Sequence, residues 1–268
     1  SFADIILLDG NLADVNVVAT IAAGRLVAEN GRMVADLAPF SYPPEATDTV
    51  RLRRRLSPSD FEIRVARPDG PVRARAIQAI ENHAETKEAV VELEVAGGRL
   101  VLPPPGGAAG KDVAKIAVVE RHGKSGAIAV GVVTGLRFKR PAAVATTVAH
   151  DSHNLLIVGT SDELMARAGN ELAAAGGGAL VIYEDGDGVK SELMPLPVAG
   201  LMSPEPFEEV ARRSRATSRA LAEAGCDLNY AFMTISLLAL PVIPELRLTD
   251  KGLVKVGTGG FDLVDLVL

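Results

Sequence analysis

Residues 142–183 read AAVATTVAHDSHNLLIVGTSDELMARAGNELAAAGGGALVIY, and this stretch decides the kind of fold. Ala142 to Ala149 and Leu155 to Val158 are apolar runs of strand length, parted by the polar cluster His150-Asp151-Ser152-His153-Asn154. The period then changes. Thr160 as N-cap with Glu163 three residues on forms a capping box, and Leu164, Ala168 and Leu172 repeat at helical spacing until Gly176-Gly177-Gly178. Ala179 to Tyr183 returns to strand, and Glu184 to Gly188 turns it into a second strand from Val189. Strands and helix interleaved in this way predict an α+β or mixed α/β domain.

Upstream the chain is richer in strands. Phe61 to Val65 alternates apolar and charged residues, Val72 to Ile77 follows Pro68-Asp69-Gly70, and Val90 to Val95 pairs with Arg99 to Leu102 across Ala96-Gly97-Gly98. Val113 to Val119 and Ala127 to Val133 continue the pattern. Farther back, residues 39–56 carry Pro39, Pro43, Pro44 and Arg51-Leu52-Arg53-Arg54-Arg55, the composition of a linker. Residues 1–38 then stand apart: Asp4 to Leu8, Val15 to Ala22 and Arg25 to Ala28 are short strands closed by Ala23-Gly24 and Asn30-Gly31, too few to bury a face alone. The chain opens on Ser1 and enters a strand almost at once, which reads as a cut-down or processed piece.

Downstream, Ser203 with Pro204 is expected to start a second helix, with Phe207, Val210, Ala211 and Leu221 as its apolar stripe and Gly225 as its stop. Its Arg212, Arg213, Arg215 and Arg219 read as a solvated face or as an anionic partner's patch. Leu193 to Met202 and Met233 to Leu246 are apolar and punctuated by proline, so they are expected to pack as edges or loops in the core or at an interface. Leu253 to Val256 reads as strand, and Gly257-Thr258-Gly259-Gly260 after it as a turn.

Composition excludes several classes. A net charge of −6 is too acidic for a general nucleic-acid binder, and with no Trp, seven Phe and three Tyr a base-stacking platform is poorly supplied. The single cysteine, Cys226, forms no internal disulfide, which suits a reducing compartment. No run is long enough to span a bilayer and no secretory signal opens the sequence, so a cytoplasmic location is expected. Pro105-Gly106-Gly107-Ala108-Ala109-Gly110-Lys111 imitates a phosphate loop, but only three residues separate Gly106 from Gly110-Lys111, and Asp112 stands where a hydroxyl should reach magnesium.

That leaves His150-Asp151-Ser152-His153-Asn154 as the one dense cluster of groups that do chemistry. On a regular strand His150 and His153 point to opposite faces, so they meet only if the segment turns. Four readings stay open. The cluster holds a metal with a further ligand such as His83, His122 or Asp185; it offers Ser152 to a histidine base; it is a polar loop whose histidines satisfy carbonyls; or it faces a substrate or an interface.

Val148 to Asn154, Val158-Gly159-Thr160, Leu196 to Met202 and Leu238 to Asp250, in this order, resemble the C-terminal part of the bacterial adenine deaminase family. Residues 1–38 are similar to the last strands of the small β-sandwich flanking an amidohydrolase barrel. The resemblance implies a 57–268 domain of adenine deaminase C-terminal type after a 39–56 linker. It implies hydrolysis of adenine to hypoxanthine and ammonia, with a hydroxide on a divalent metal (manganese or iron) attacking C6 while a carboxylate shuttles protons. The family's ligands lie on a barrel that opens with a His-x-His pair. This sequence has no His-x-His, so no ligand or catalytic acid is assigned in it, and the chain alone is expected to bind no cofactor and to be inactive. Its expected partners are that barrel, adenine through it, and further copies of itself, with no nucleic acid or membrane. The competing expectations are a structural or oligomerisation module that touches no substrate, and a small independent hydrolase using the histidine pair.

Overall fold

The computed structural model of the chain describes residues 2–38, 40–106, 112–186, 188–257 and 259–268. The loop imitation at 106–111 therefore falls, after Gly106, outside the described residues, as do the central Thr258 of the 257–260 turn and Asp187 of the 184–188 turn. The chain divides into two compact units, 1–42 and 43–268.

In the first unit β1 (Ile5–Asp9), β2 (Asn16–Ala22), β3 (Arg25–Glu29) and β4 (Arg32–Met33) form an antiparallel sheet in that order. Ala23-Gly24 and Asn30-Gly31 all take positive φ, the left-handed geometry that two-residue hairpins need. Ala19 is the one buried hydrophobic among the described residues of this unit, while Ile5, Ile6, Leu7 and Leu26 stay exposed.

The second unit is built from α1 (Pro44–Thr47), a 3-10 turn at Pro58–Phe61, β5 (Gly70–Ala79), β6 (Thr86–Ala96), β7 (Arg99–Val101), β8 (Val113–Val119), β9 (Ile128–Thr134), β10 (Ala142–Thr146), β11 (Leu155–Gly159), α2 (Asp162–Ala174), β12 (Gly178–Asp185) and β13 (Gly188–Pro195). After these come α3 (Phe207–Glu223), α4 (Ala231–Ser236), β14 (Leu246–Thr249), β15 (Gly252–Gly257) and β16 (Gly260–Leu263). Nine strands make one sheet in the order β13-β12-β10-β11-β8-β9-β5-β6-β7, and the last three make a second small sheet. Within the large sheet β5 and β9 run parallel, and the other neighbouring strands are antiparallel. The domain is thus β-rich with helices on the sheet's faces, an α+β architecture.

Strand alternation sorts the central residues into two layers. Ala143, Ala145, Leu155, Ile157, Leu180 and Ile182 meet Leu164, Met165, Ala168 and Leu172 of α2. Val144, Leu156, Val158 and Val181 face the other way, onto Ala220 and Leu221 of α3, Ile235 of α4, and Leu246, Leu248 and Leu253 of the small sheet. With both faces covered, β10 and β11 are buried along their whole length, which is why they read as continuous apolar runs.

Several local readings change. Ser161, not Thr160, caps α2: the Leu164 N–H donates to Ser161 Oγ at 3.3 Å, while Thr160 Oγ1 accepts from the Ala142 N–H at 3.0 Å. The second helix begins at Phe207 rather than Pro204, because Pro206 disfavours helical backbone at the residue before it. Phe207 is 81% exposed; of the expected stripe Leu221 is buried, and Thr217 and Ala220 complete the buried face with it. Phe61 to Val65 is not a regular strand. The chain leaves the 3-10 turn with Phe61 and Ile63 buried and touches β7 through Leu100 N–H to Ile63 O at 2.8 Å and a bridge between Arg64 and Arg99. Inside the proline-punctuated run 233–246 the chain completes α4, which buries Ile235. Residues 43–56, linker-like in composition, run along the second unit, where the Ala199 N–H donates to the Ala46 carbonyl at 2.6 Å and Leu56 is buried.

Candidate functional site

β10 stops at Thr146 because the next residue is turned aside. Thr147 is fully buried: its N–H donates to Gly178 O at 3.0 Å, its Oγ1 donates to Gly200 O at 2.5 Å and accepts from the Gly178 N–H at 2.8 Å. The chain then folds back on itself before β11, with the His153 N–H on Ala149 O at 2.8 Å and His153 at φ 49°. This turn brings the two histidines together, their ring centroids 5.3 Å apart.

The five residues do not share one task. The His153 Nδ1 accepts from the Ala149 N–H at 3.3 Å, which fixes it as a neutral ring with no lone pair at Nδ1 for a metal. Burial, with His150 and Arg121 beside it, holds the His153 imidazole below its ordinary pKa. Asn154 is buried and bridges: its Oδ1 accepts from the Arg121 N–H and its Nδ2 donates to Asp250 Oδ1, both at 3.4 Å. The His150 Nδ1 is buried without a partner. Asp151 and Ser152 are exposed and turn outward, where they line a cavity of about 340 Å³ with Ala239, Pro241, Thr249, Asp250, Lys251, Val254, Phe261 and Leu263. His150 and His153 are not part of that lining.

The loop is braced from behind by the segment that ends β8. Arg121, 2% exposed, donates from Nε to His153 O at 2.5 Å, from Nη1 to Thr49 O at 2.9 Å and from Nη2 to Ala199 O at 3.0 Å. The neighbouring His122 donates from Nε2 to Ser152 O at 2.9 Å. Glu120 closes its own turn, accepting from the N–H groups of His122, Lys124, Ser125 and Gly126 at 2.6–3.0 Å. Burial alone pushes the Glu120 carboxyl up, but these four donors outweigh it and hold it below the usual carboxylate range. Sequence reasoning missed this bracing, although the charged triplet Glu120-Arg121-His122 directly after an apolar strand was a signal. It also missed Asp250, Lys251 and Phe261, which reach the loop only through the small sheet.

The other groups proposed as ligands lie elsewhere. His83 pairs with Glu85 at 3.6 Å, and Asp185 pairs with Arg140 and Lys190. Among the described residues no three His, Cys, Asp or Glu side chains gather as metal ligands would. Burial pushes the Cys226 thiol up to about 12. A larger cavity, about 610 Å³, opens between β7 and the start of α2, but its charges are engaged internally: Lys115 bridges both oxygens of Asp162 at 2.7 and 2.8 Å, and Arg99 meets Glu62 at 2.7 Å. No described helix is long and apolar enough to cross a membrane.

The fold and site define an α+β domain in which a carboxylate and a hydroxyl are presented on a braced loop beside an apolar cavity. A family model for the adenine deaminase C-terminal domain matches residues 83–259, and the chain belongs to that family. It is 56% identical over 265 residues to an adenine deaminase of Rubrobacter xylanophilus, covering 99% of this chain and 42% of the relative. It is 46% identical over 266 residues to one of Moorella thermoacetica (99% and 43%) and 43% identical over 262 residues to one of Ruegeria pomeroyi (98% and 42%). The chain thus spans about two fifths of the length of the curated relatives it matches.

Proposed function

We propose that this chain serves as part of an adenine deaminase, in which the catalytic metal is held by the remainder of the polypeptide and the 150–154 loop faces the substrate side. The observation that carries this reading is the division of labour in the loop. His153 and Asn154 are spent on backbone and bracing, while the exposed Asp151 and Ser152 side chains line a cavity, Ser152 Oγ also accepting from the Asn154 N–H at 3.5 Å. A divalent metal does not fit the described residues: no three His, Cys, Asp or Glu side chains gather among them, and the orphaned Nδ1 of His150 has beside it a His153 whose Nδ1 accepts from the Ala149 N–H. No step is therefore routed through a metal here. What the chain supplies is a fixed carboxylate and hydroxyl that accept or donate hydrogen bonds to a bound base, and an apolar wall that excludes water.

In this reading residues 1–38 complete a β-sandwich whose other strands lie outside the chain; the exposed Ile5, Ile6 and Leu7 support it. The assembly works in the cytoplasm, and further copies associate through apolar surface such as Tyr230 and Met233, which are 74% and 54% exposed. The test is kinetic. In the complete polypeptide Asp151→Asn lowers kcat/KM for adenine by about ten- to a thousandfold, roughly 1.4 to 4 kcal/mol, with little change in Tm. Unchanged kcat/KM with a lowered Tm assigns the loop to structure alone. Purified by itself, the chain releases no ammonia from adenine.

A further inference from the structure

We infer that His122 is a positioning residue: by donating to the Ser152 carbonyl it sets the direction in which Asp151 and Ser152 face the cavity, without touching the substrate itself. This deepens the function proposed above and rests on it, since what His122 positions is the 150–154 loop. The contact is direct, with His122 Nε2 at 2.9 Å from Ser152 O. A carbonyl only accepts, so Nε2 carries the proton, as it does in one neutral tautomer and in the cation alike.

The loop needs such a hold. It turns between β10 and β11 with His153 in the left-handed region, φ 49°, where a residue other than glycine persists only if its surroundings fix it. Two successive carbonyls of the turn are gripped by two successive residues past β8, Ser152 O by His122 and His153 O by Arg121. The two grips differ in what else depends on them. Arg121 is buried and also holds the Thr49 and Ala199 carbonyls, so its loss is felt in folding. His122 is exposed, and its ring is not part of the cavity lining, so it can be changed without opening the core. Its own backbone is fixed twice over: the His122 N–H donates to Glu120 Oε1 at 2.6 Å, and the residue pairs with Arg51 in a parallel bridge. The ring is therefore aimed from a rigid base. A peptide plane freed at Ser152 carries the side chains on either side of it, and a misplacement of about 1 Å at a reacting centre can cost on the order of a hundredfold in rate.

Kinetics and hydrogen exchange on the complete polypeptide test the inference. His122→Phe keeps the bulk of the ring and removes the donor, whereas His122→Gln keeps a donor of similar reach. His122→Phe is expected to lower kcat/KM for adenine about five- to fiftyfold, with Tm within about 2 °C of the parent. It is also expected to speed exchange in a peptide spanning residues 149–154, as the His153 N–H loses its hold on the Ala149 carbonyl. His122→Gln is expected to return kcat/KM to within about threefold of the parent and to restore the protection. Combined with Asp151→Asn, the two losses are expected to fall short of multiplying by about threefold or more, because both act on the same presented groups.

Unchanged kcat/KM or unchanged exchange in His122→Phe, no recovery in His122→Gln, or losses that multiply in full overturn the inference. Should His122→Phe fail to fold, His122→Ala takes its place with the same readings. If Asp151→Asn lowers kcat/KM while His122→Phe does not, the positioning role falls and the proposed function stands. If Asp151→Asn leaves kcat/KM unchanged, the proposed function falls, and the positioning role falls with it.

Discussion

Arg121 Nε donates to the His153 carbonyl at 2.5 Å, so a guanidinium just past the end of β8 holds the turn between β10 and β11. The same group reaches the Thr49 and Ala199 carbonyls. A buried cation is tolerated here because its donors meet carbonyl dipoles from three separate segments. Burial alone draws its pKa down from the usual arginine value.

Removing that hub strands three carbonyls. Arg121→Met is expected to cost about 3 to 5 kcal/mol in urea unfolding, at the upper end of single substitutions. Arg121→Lys recovers part of this, since an ammonium cannot reach in three directions from one plane. A loss below about 1 kcal/mol in Arg121→Met contradicts the bracing role.

The Glu120 turn gives a pH dependence of defined sign. Its carboxyl lies below its ordinary value, so its contribution is fully present above the unfolded-state pKa of about 4.5 and is lost as the pH falls through the folded-state value. Glu120→Gln is expected to cost about 2 kcal/mol at pH 7 and to flatten the decline of stability below pH ~4.5. Urea midpoints measured at neutral and acidic pH in both proteins check this; parallel declines refute it.

His153 acts in a higher window. Because its folded-state pKa lies below the ordinary 6.5, its contribution is present above that pH and is lost on acidification below it, as the ring takes a proton that burial, His150 and Arg121 oppose. Asn suits the left-handed backbone of this position, so His153→Asn is expected to fold and to lose the stability step between neutral pH and the carboxylate range. Tm followed against pH for both proteins shows the step or its absence.

How much of this was legible in the sequence depended on range. β10, β11 and α2 were readable because two-sided burial writes an apolar run and an amphipathic helix writes its period, both local signals. The turn at 150–154 was legible as a turn, since two histidines three apart meet only if the strand ends. The split of its residues was not, because Asp250 lies 96 positions from Asn154 and Phe261 is farther still. Arg121 and Arg247 were hidden for another reason: charge in a sequence reads as surface, yet Arg247 is fully buried, with Leu237, Ile243, Ala84 and Pro244 carbonyls around its guanidinium. Burial lowers its pKa to about 10. Helix α4 was masked by the prolines that follow it.

Gly178 is the sharpest backbone test. It takes φ +134°, and an added Cβ would lie 2.0 Å from the Met194 carbonyl oxygen. Gly178→Ala is expected to destabilise by about 3 kcal/mol or more, because both the left-handed φ and the close approach of β13 reject a side chain. A Tm within 2 °C of the parent on this substitution would falsify that account.

Cys226 is the chemical control. Buried at 2% exposure, with its thiol pushed up to about 12, it is expected to ignore a thiol-reactive disulfide reagent in the native chain and to react fully in guanidinium. Prompt native labelling would place that side chain at the surface.

The parallel pairing of β5 with β9 spans only Ile77 with Val133 and Gln78 with Thr134. The nine strands are therefore two antiparallel blocks joined along a short seam, and Arg247 sits near it, donating to the Ala84 carbonyl in the β5–β6 turn. Such a seam is a natural plane of subglobal opening: amides of the β5–β7 block are expected to exchange with solvent as one cooperative set, ahead of the β8–β13 block that carries the loop. On that expectation the half of the sheet that presents the candidate site is the last to come apart.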